Sequence, residues 1–273
     1  MRLLCISLLF LLAGCSIIEK DETIGWSVQQ LYGEAKASLK KGDLMTARKY
    51  YQKILARYPY GRYAQQTHLD LIQLEYKDQA YDKAVLQAKK YVRLYPNSPY
   101  ADYARYMKGV VTYSRDVSII DKLVPTNIAQ SDQSLMKNAF EDFSELVGTS
   151  PSGDYSEDAK MRMIFLRNIT AEHEIYVAEY YLRRGAYLAA ANRGQYVVKH
   201  FDRTPSVPLA LGVMVRAYQE LNMPKLAQDA KRILDKNFPK AASGNERLDF
   251  ILNGDISKKK SFLKVMSQKL LTN

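Results

Sequence analysis

Four alanine and proline pairs constrain the fold of this chain more than any other feature: Ala47 and Pro59, Ala84 and Pro96, Ala139 and Pro151, and Ala227 and Pro239 each stand twelve residues apart. The first two pairs are offset by 37 residues. A second spacing runs with the first, because Gly42, Gln79, Gly185 and Asn222 lie five residues before Ala47, Ala84, Ala190 and Ala227. Around these marks apolar residues recur at three- and four-residue intervals, β-branched runs are few, and Gly or Pro punctuates the text, which is helical patterning. A helical text with a period of this length describes a repeated helical hairpin. A small Ala near the start of the second helix lets the paired helix approach, and a bulky residue four positions on (Tyr51, Phe143) fills the groove. Pro ends the helix because it has no N–H for the i to i−4 bond.

This is the logic of the tetratricopeptide repeat. The spacing predicts units near 26–60, 63–97, 100–152, 157–204 and 206–240, an all-α tetratricopeptide-repeat superhelix of about five helical hairpins. Two irregularities stand out. The third unit carries roughly 18 extra residues, at about 114–132, and in the fourth an uninterrupted helical pattern runs from Glu157 to about Arg184. Stacked hairpins bury a continuous core between neighbours and leave a concave face for peptides or protein segments.

The N-terminus reads differently. Arg2 supplies a positive start, Leu3 to Leu12 is an almost unbroken apolar run, and Ala13 and Gly14 precede Cys15. The run is too short to cross a bilayer and has the form of a signal peptide. Leu12-Ala13-Gly14-Cys15 resembles the bacterial lipobox, so residues 1–14 are expected to be removed and Cys15 to be acylated. Several acyl chains on one residue anchor far more tightly than a single chain. Ser16, rather than Asp, follows the cysteine, which in the lipoprotein pattern of Gram-negative bacteria implies the outer membrane. Residues 15–25 are polar and aperiodic and are expected to form a lipidated tether.

The composition is that of a globular protein, with 40 Lys and Arg against 29 Asp and Glu. Removal of 1–14 takes away only Arg2 among the charged residues, so the net charge falls from +11 to +10. That balance favours anionic partners without choosing among them. The signals for catalysis are missing. His68, His173 and His200 are isolated from one another, and no cysteine follows Cys15 to serve as a soft ligand or a nucleophile. His173 stands between Glu172 and Glu174, but adjacent helical positions point in different directions. No phosphate-cradling loop or nucleophile elbow occurs. The expectation is a non-enzymatic protein with no metal, no cofactor and no nucleic-acid partner.

Several strings go beyond a generic repeat: Arg57-Tyr58-Pro59-Tyr60-Gly61-Arg62, Tyr106-Met107-Lys108-Gly109, Val177-Ala178-Glu179-Tyr180-Tyr181, Arg184-Gly185-Ala186 and Asn192-Arg193. Across roughly residues 12 to 240 they resemble the BamD (ComL-like) lipoproteins of the outer-membrane β-barrel assembly machinery. The resemblance implies a lipid-anchored subunit on the periplasmic face of the outer membrane, held through Cys15. Its implied partners are the barrel-forming subunit, met through that protein's POTRA domains, accessory assembly lipoproteins and unfolded outer-membrane protein substrates. It also implies a division of labour, with N-terminal repeats (26–152) meeting substrates and accessory subunits and C-terminal repeats (153–240) docking the barrel subunit.

Carried onto this sequence, the docking residues are Arg193, Asn192, Tyr181 and Arg184, with Arg193 pairing to an acidic POTRA residue. A permanently charged, planar guanidinium suits such a contact. Tyr58, Tyr60, Tyr63, Gln66 and Asp70 form the implied substrate-peptide face, beside Tyr76 and Tyr81, since tyrosine offers a wide apolar face with a polar tip. These tyrosines equally suit the core of a repeat. Residues 241–273 extend past the last repeat, and Lys258, Lys259, Lys260, Lys264 and Lys269 alternate there with apolar residues as in a basic amphipathic helix. A different scaffold function, serving pilus assembly or cell-wall enzymes, is the alternative for a tetratricopeptide lipoprotein.

Overall fold

The structure, a computed structural model, describes residues 21–120, Ala129 and 134–255. Among them are twelve helices: α1 (Val28–Lys41), α2 (Leu44–Arg57), α3 (Arg62–Lys77), α4 (Tyr81–Leu94), α5 (Ala101–Ile120), α6 (Ser134–Thr149), α7 (Ser156–Arg183), α8 (Tyr187–His200), α9 (Val207–Glu220), α10 (Pro224–Asn237), α11 (Pro239–Gly244) and α12 (Glu246–Asn253). The first ten make the five expected hairpins, within a few residues of the boundaries given by the sequence spacing. The fold is all-α, of tetratricopeptide-repeat type. No helix among the described residues is long and apolar enough to cross a membrane.

The five-residue step has a stereochemical cause. Gly42, Gln79, Gly185 and Asn222 have φ of 82°, 57°, 73° and 55°. Each is the left-handed residue that closes the first helix of a hairpin. The next residue in every case sends its N–H back five positions: Asp43 to Ser38 O (3.0 Å), Ala80 to Glu75 O (2.9 Å), Ala186 to Tyr181 O (3.0 Å) and Met223 to Tyr218 O (2.9 Å). This is the Schellman arrangement, made four times. At the other end of the hairpin an aromatic residue terminates the second helix. Tyr58, Tyr95, Phe201 and Phe238 have φ between −126° and −134° and donate their N–H to Ile54, Tyr91, Val197 and Leu234.

The alanines behave as expected, and the bulky partners do so only in part. Ala47, Ala84, Ala139 and Ala190 are wholly buried and Ala227 nearly so. Four positions on stand Tyr51 and Phe143 as predicted, but also Ala88, Gly194 and the exposed Lys231. The constant feature is a buried apolar residue seven positions after the alanine: Ile54, Tyr91, Leu146, Val197 and Leu234. Two turns of helix separate these two positions, so both face the same neighbour.

Contacts divide the chain into two compact units, one ending at Thr67 and one beginning at His68, with α3 running through the division. In the first unit Ser27 and Gln30 form a capping box at the start of α1 (3.2 and 2.9 Å), and Asp43 caps α2 through the N–H of Thr46 (3.0 Å). Leu31, Ala35, Tyr51 and Ile54 form its interior, with Tyr32 edge-on to Tyr63 and Trp26 stacked on Tyr50. The described part of the expected tether, 21–25, is fixed to α2. Asp21 accepts from Lys53 Nζ and Arg57 Nη2, both at 2.5 Å, and the Thr23 carbonyl accepts from Arg57 Nη1 at 2.6 Å. Residues 1–20, including the signal peptide and Cys15, lie outside the described residues.

In the second unit one core joins Leu69 and Ile72 to α4 and α5, another joins α6 to α7, and a third runs from α7 to α10. The expected insertion at 114–132 begins as helix, since α5 continues to Ile120. Within it the buried Ala129 is described, and its carbonyl accepts a 2.7 Å hydrogen bond from His173 Nδ1. The region expected as a basic tail starts with a folded element, because α12 buries Leu248 and Ile251 against α9. The lysine-rich stretch 258–271 lies outside the described residues.

Candidate partner-docking site

Helix α8 has two faces. Ala190, Ala191, Gly194 and Val197 are buried, and Gly194 lies so near the next hairpin that a Cβ there would stand 2.8 Å from Ala210 O. On the other side Ala189, Asn192, Arg193 and Tyr196 recur at three- and four-residue spacing. Together with Tyr181 from the end of α7 they line an open pocket of about 340 Å³. The fold thus brings together three of the four expected docking residues, Tyr181, Asn192 and Arg193. Arg184 stands apart, its guanidinium 5.4 Å from the centre of the Tyr180 ring.

Arg193 already has an acidic partner within the chain. Its Nη1 donates to Glu174 Oε2 at 2.9 Å, and the two side chains are 43% and 13% exposed. The hydrogen bond to Glu174 pushes the Arg193 pKa up, against its own desolvation, so the guanidinium is charged at any accessible pH. The geometry leaves a fixed cation with part of its edge open to the pocket. The aromatic rim consists of Tyr181 and Tyr196, with Tyr196 resting against His200 (4.6 Å) and Phe201 (5.8 Å). Sequence reading missed Tyr196 and Glu174. Tyr196 is four residues beyond Asn192 on the same face, a signal that was there to use; Glu174 is 19 residues from Arg193 and carried none.

The Glu172-His173-Glu174 string proves to be three unrelated positions. His173 holds Ala129, Glu174 holds Arg193, and Glu172 accepts from Arg247 of α12 and from Ser206 Oγ (3.3 Å). Arg247 also donates through Nε to Glu179 Oε1 at 2.7 Å and lies over the Tyr176 ring at 4.6 Å. Burial pushes the Glu179 carboxyl up, and Arg247 opposes that shift. The described residues hold no group of three or more His, Cys, Asp or Glu suited to a metal ion.

The expected substrate face divides between the two units. In the first, Tyr60 is 87% exposed, Tyr58 is exposed with its hydroxyl donating to Trp26 O (3.3 Å), and Tyr63 and Gln66 are half-buried. Asp70 belongs to the second and is only 3% exposed, and Tyr76 and Tyr81 pack against the core of α4 and α5.

Five tetratricopeptide-type hairpins define a helical-repeat protein, with a fixed arginine in an aromatic-rimmed pocket as its candidate docking site. A family model described as an outer membrane lipoprotein, YfiO, matches residues 26–233. Proteins named outer membrane protein assembly factor BamD are similar to this chain along most of its length. That of Neisseria meningitidis serogroup A is 38% identical over 88% of this chain and 91% of its own. That of Vibrio cholerae is 33% identical over 86% and 96%, and that of Haemophilus influenzae 32% identical over 87% and 90%. The chain belongs to the YfiO outer membrane lipoprotein family. Helices α11 and α12 lie beyond the matched residues.

Proposed function

We propose that this chain is a non-enzymatic subunit of the machinery that assembles β-barrel proteins into the outer membrane. It is anchored through an acylated Cys15 on the periplasmic side. The repeats at 153–240 dock the barrel-forming subunit through a POTRA domain, and the repeats at 26–152 meet unfolded substrates and accessory lipoproteins. The names of the similar proteins support the assembly role. The observation that carries the docking role is Arg193: a half-exposed guanidinium, oriented by Glu174 and set in a pocket with Tyr181, Asn192 and Tyr196. A preformed cation loses little side-chain freedom on pairing with a carboxylate, and the tyrosines supply apolar area around it. In the first unit Tyr58, Tyr60, Tyr63 and Gln66 are the proposed substrate contacts; Asp70, being buried, adds little to them.

The test is co-purification. The lipidated protein, tagged after Asn273, is isolated from outer membranes in mild detergent with its partners. The expected result is a POTRA-bearing barrel protein that is lost with Arg193→Glu, while the helical content of the variant is unchanged. Retention of that partner by Arg193→Glu removes the site, and recovery of a pilus secretin or a murein enzyme in its place removes the function.

A further inference from the structure

The clasp at Asp21 fixes how far the folded chain can stand from its anchor. Asp21 and Thr23 are tied to the last two turns of α2. Asp21 meets Lys53 and Arg57, the Thr23 carbonyl accepts from Arg57, and Thr23 Oγ1 lies 3.1 Å from Lys53 Nζ and 3.0 Å from Arg57 Nη2. Five residues, 16–20, separate the acyl-bearing cysteine from this clasp. The six Cα-to-Cα steps from Cys15 to Asp21 span at most about 20 Å when fully extended. The clasp end of the first unit is therefore held within that reach of an anchor at Cys15.

That end carries side chains suited to a lipid surface. Ile24, one residue past Thr23, is 75% exposed, and Tyr60, three residues past the end of α2, is 87% exposed. Tyr58 binds the Trp26 carbonyl, so residues 21–26 and 57–60 are one surface. Trp and Tyr gather at membrane interfaces, where an apolar ring with a polar tip matches the change from acyl chain to headgroup. The clasp cations Lys53 and Arg57 and the exposed Arg62 outnumber Asp21 and Glu22 at this end. The opposite end of the hairpin, at Gly42, is a 14-residue helix away, about 21 Å at 1.5 Å per residue.

We infer that this end of the first unit, residues 21–26 with 57–62, rests on the bilayer that holds the anchor, with Ile24 and Tyr60 entering the headgroup region. The inference rests on acylation at Cys15. It places the proposed substrate tyrosines at the membrane surface, where a chain about to enter the bilayer would be met.

The sole tryptophan of the sequence, Trp26, lies in this surface and reports on it. The lipidated protein is reconstituted into vesicles of phosphatidylethanolamine and phosphatidylglycerol brominated near the top of the acyl chains. Flotation reads the anchor, mass spectrometry reads its acyl groups, and Trp26 emission reads the contact. The expected result is a loss of Trp26 emission relative to unbrominated vesicles. In Ile24→Asp/Tyr60→Asp the protein still floats and keeps its helical circular dichroism, and the quenching disappears. An acylated protein that floats with Trp26 unquenched overturns the inference and leaves the anchor standing, with a protein partner as the occupant of this surface. Equal quenching in the double variant also overturns it. A chain without acyl mass that does not float overturns the anchor and the inference together.

Discussion

Arg247 and Glu179 are 68 residues apart in the sequence and 2.7 Å apart in the fold. Their pairing, with Glu172 on the other arm of the guanidinium, attaches α12 to α7. Glu179 is only 6% exposed, so its charge depends on this arginine. Breaking a buried pair costs more than the pair contributes, because the remaining charge stays buried and unpaired. Arg247→Met should therefore lower the unfolding free energy by about 3 kcal/mol in urea denaturation at pH 7. The deficit has a defined pH dependence. Burial already raises the folded pKa of Glu179, and loss of Arg247 removes the largest opposing influence, raising it further. A raised carboxyl pKa leaves stability intact at acid pH and costs it as pH rises through the folded value. The Arg247→Met deficit should be smallest near pH 4 and grow toward neutrality; a deficit constant with pH would show that Glu179 does not sense Arg247.

The hairpins were legible because a repeat states its rule several times. Ala47, Ala84, Ala139 and Ala227 with their prolines, and the turn residues five before the alanines, are enough to place ten helices. The Arg247 network was illegible for the converse reason. Each member reads alone as a solvated charge, and only the closure of α12 over α9 joins them. Helix α12 is a single eight-residue element past the last repeat, with no second copy to confirm it. Arg193 is marked in the sequence by the resemblance, whereas its partner Glu174 lies 19 residues away on another helix and no periodicity links the two.

The four Schellman turns differ in how well their residues suit the left-handed region. Gly42 and Gly185 occupy it without a Cβ penalty, while Gln79 and Asn222 do not. Gln79→Gly should raise stability by up to about 1 kcal/mol, and Gly42→Ala should lower it by about the same amount. Asn222→Gly should gain less than Gln79→Gly, since asparagine tolerates this conformation better than glutamine. Thermal denaturation of the three variants ranks them, and a loss on Gln79→Gly would mean that its side chain contributes more than its backbone costs.

The clasp on α2 should be acid-labile. The hydrogen bond from Lys53 and those from Thr23 hold the Asp21 carboxyl well below the ordinary carboxylate range, against the opposing effect of desolvation. A depressed pKa contributes stability above the unfolded value, about 4, and loses it as pH falls through the folded one. Trp26 emission should therefore stay constant from pH 7 to about 4 and change below it. In Asp21→Asn the emission at pH 7 should already have the acid value. An Asp21→Asn protein that matches the parent at neutral pH would show that the carboxylate does not hold residues 21–26 in place.

Leu248 rests on Gly212, and the contact explains why α9 has a glycine in the middle of a buried helix. A Cβ at 212 would stand 2.3 Å from Leu248 Cδ1 and 3.6 Å from Ile251 Cγ2. Two effects oppose each other in Gly212→Ala. Alanine is favoured over glycine in a helix by about 1 kcal/mol, while an added methyl in a filled site costs about 1–3 kcal/mol. Leu248 is buried, so it can give way only by taking another rotamer in a filled site or by lifting α12, and overpacking should win, with a loss of about 1–2 kcal/mol. Leu248→Ala alone should lose about 2–4 kcal/mol through the cavity it leaves. In the double variant the alanine at 212 grows into that cavity, so the combined loss should fall short of the sum by at least about 0.5 kcal/mol. Strict additivity in urea denaturation would mean that α12 does not close over α9 through this pair, and the attachment would then rest on Arg247, Ile251 and the hydrogen bond from Arg216 to the Leu252 carbonyl.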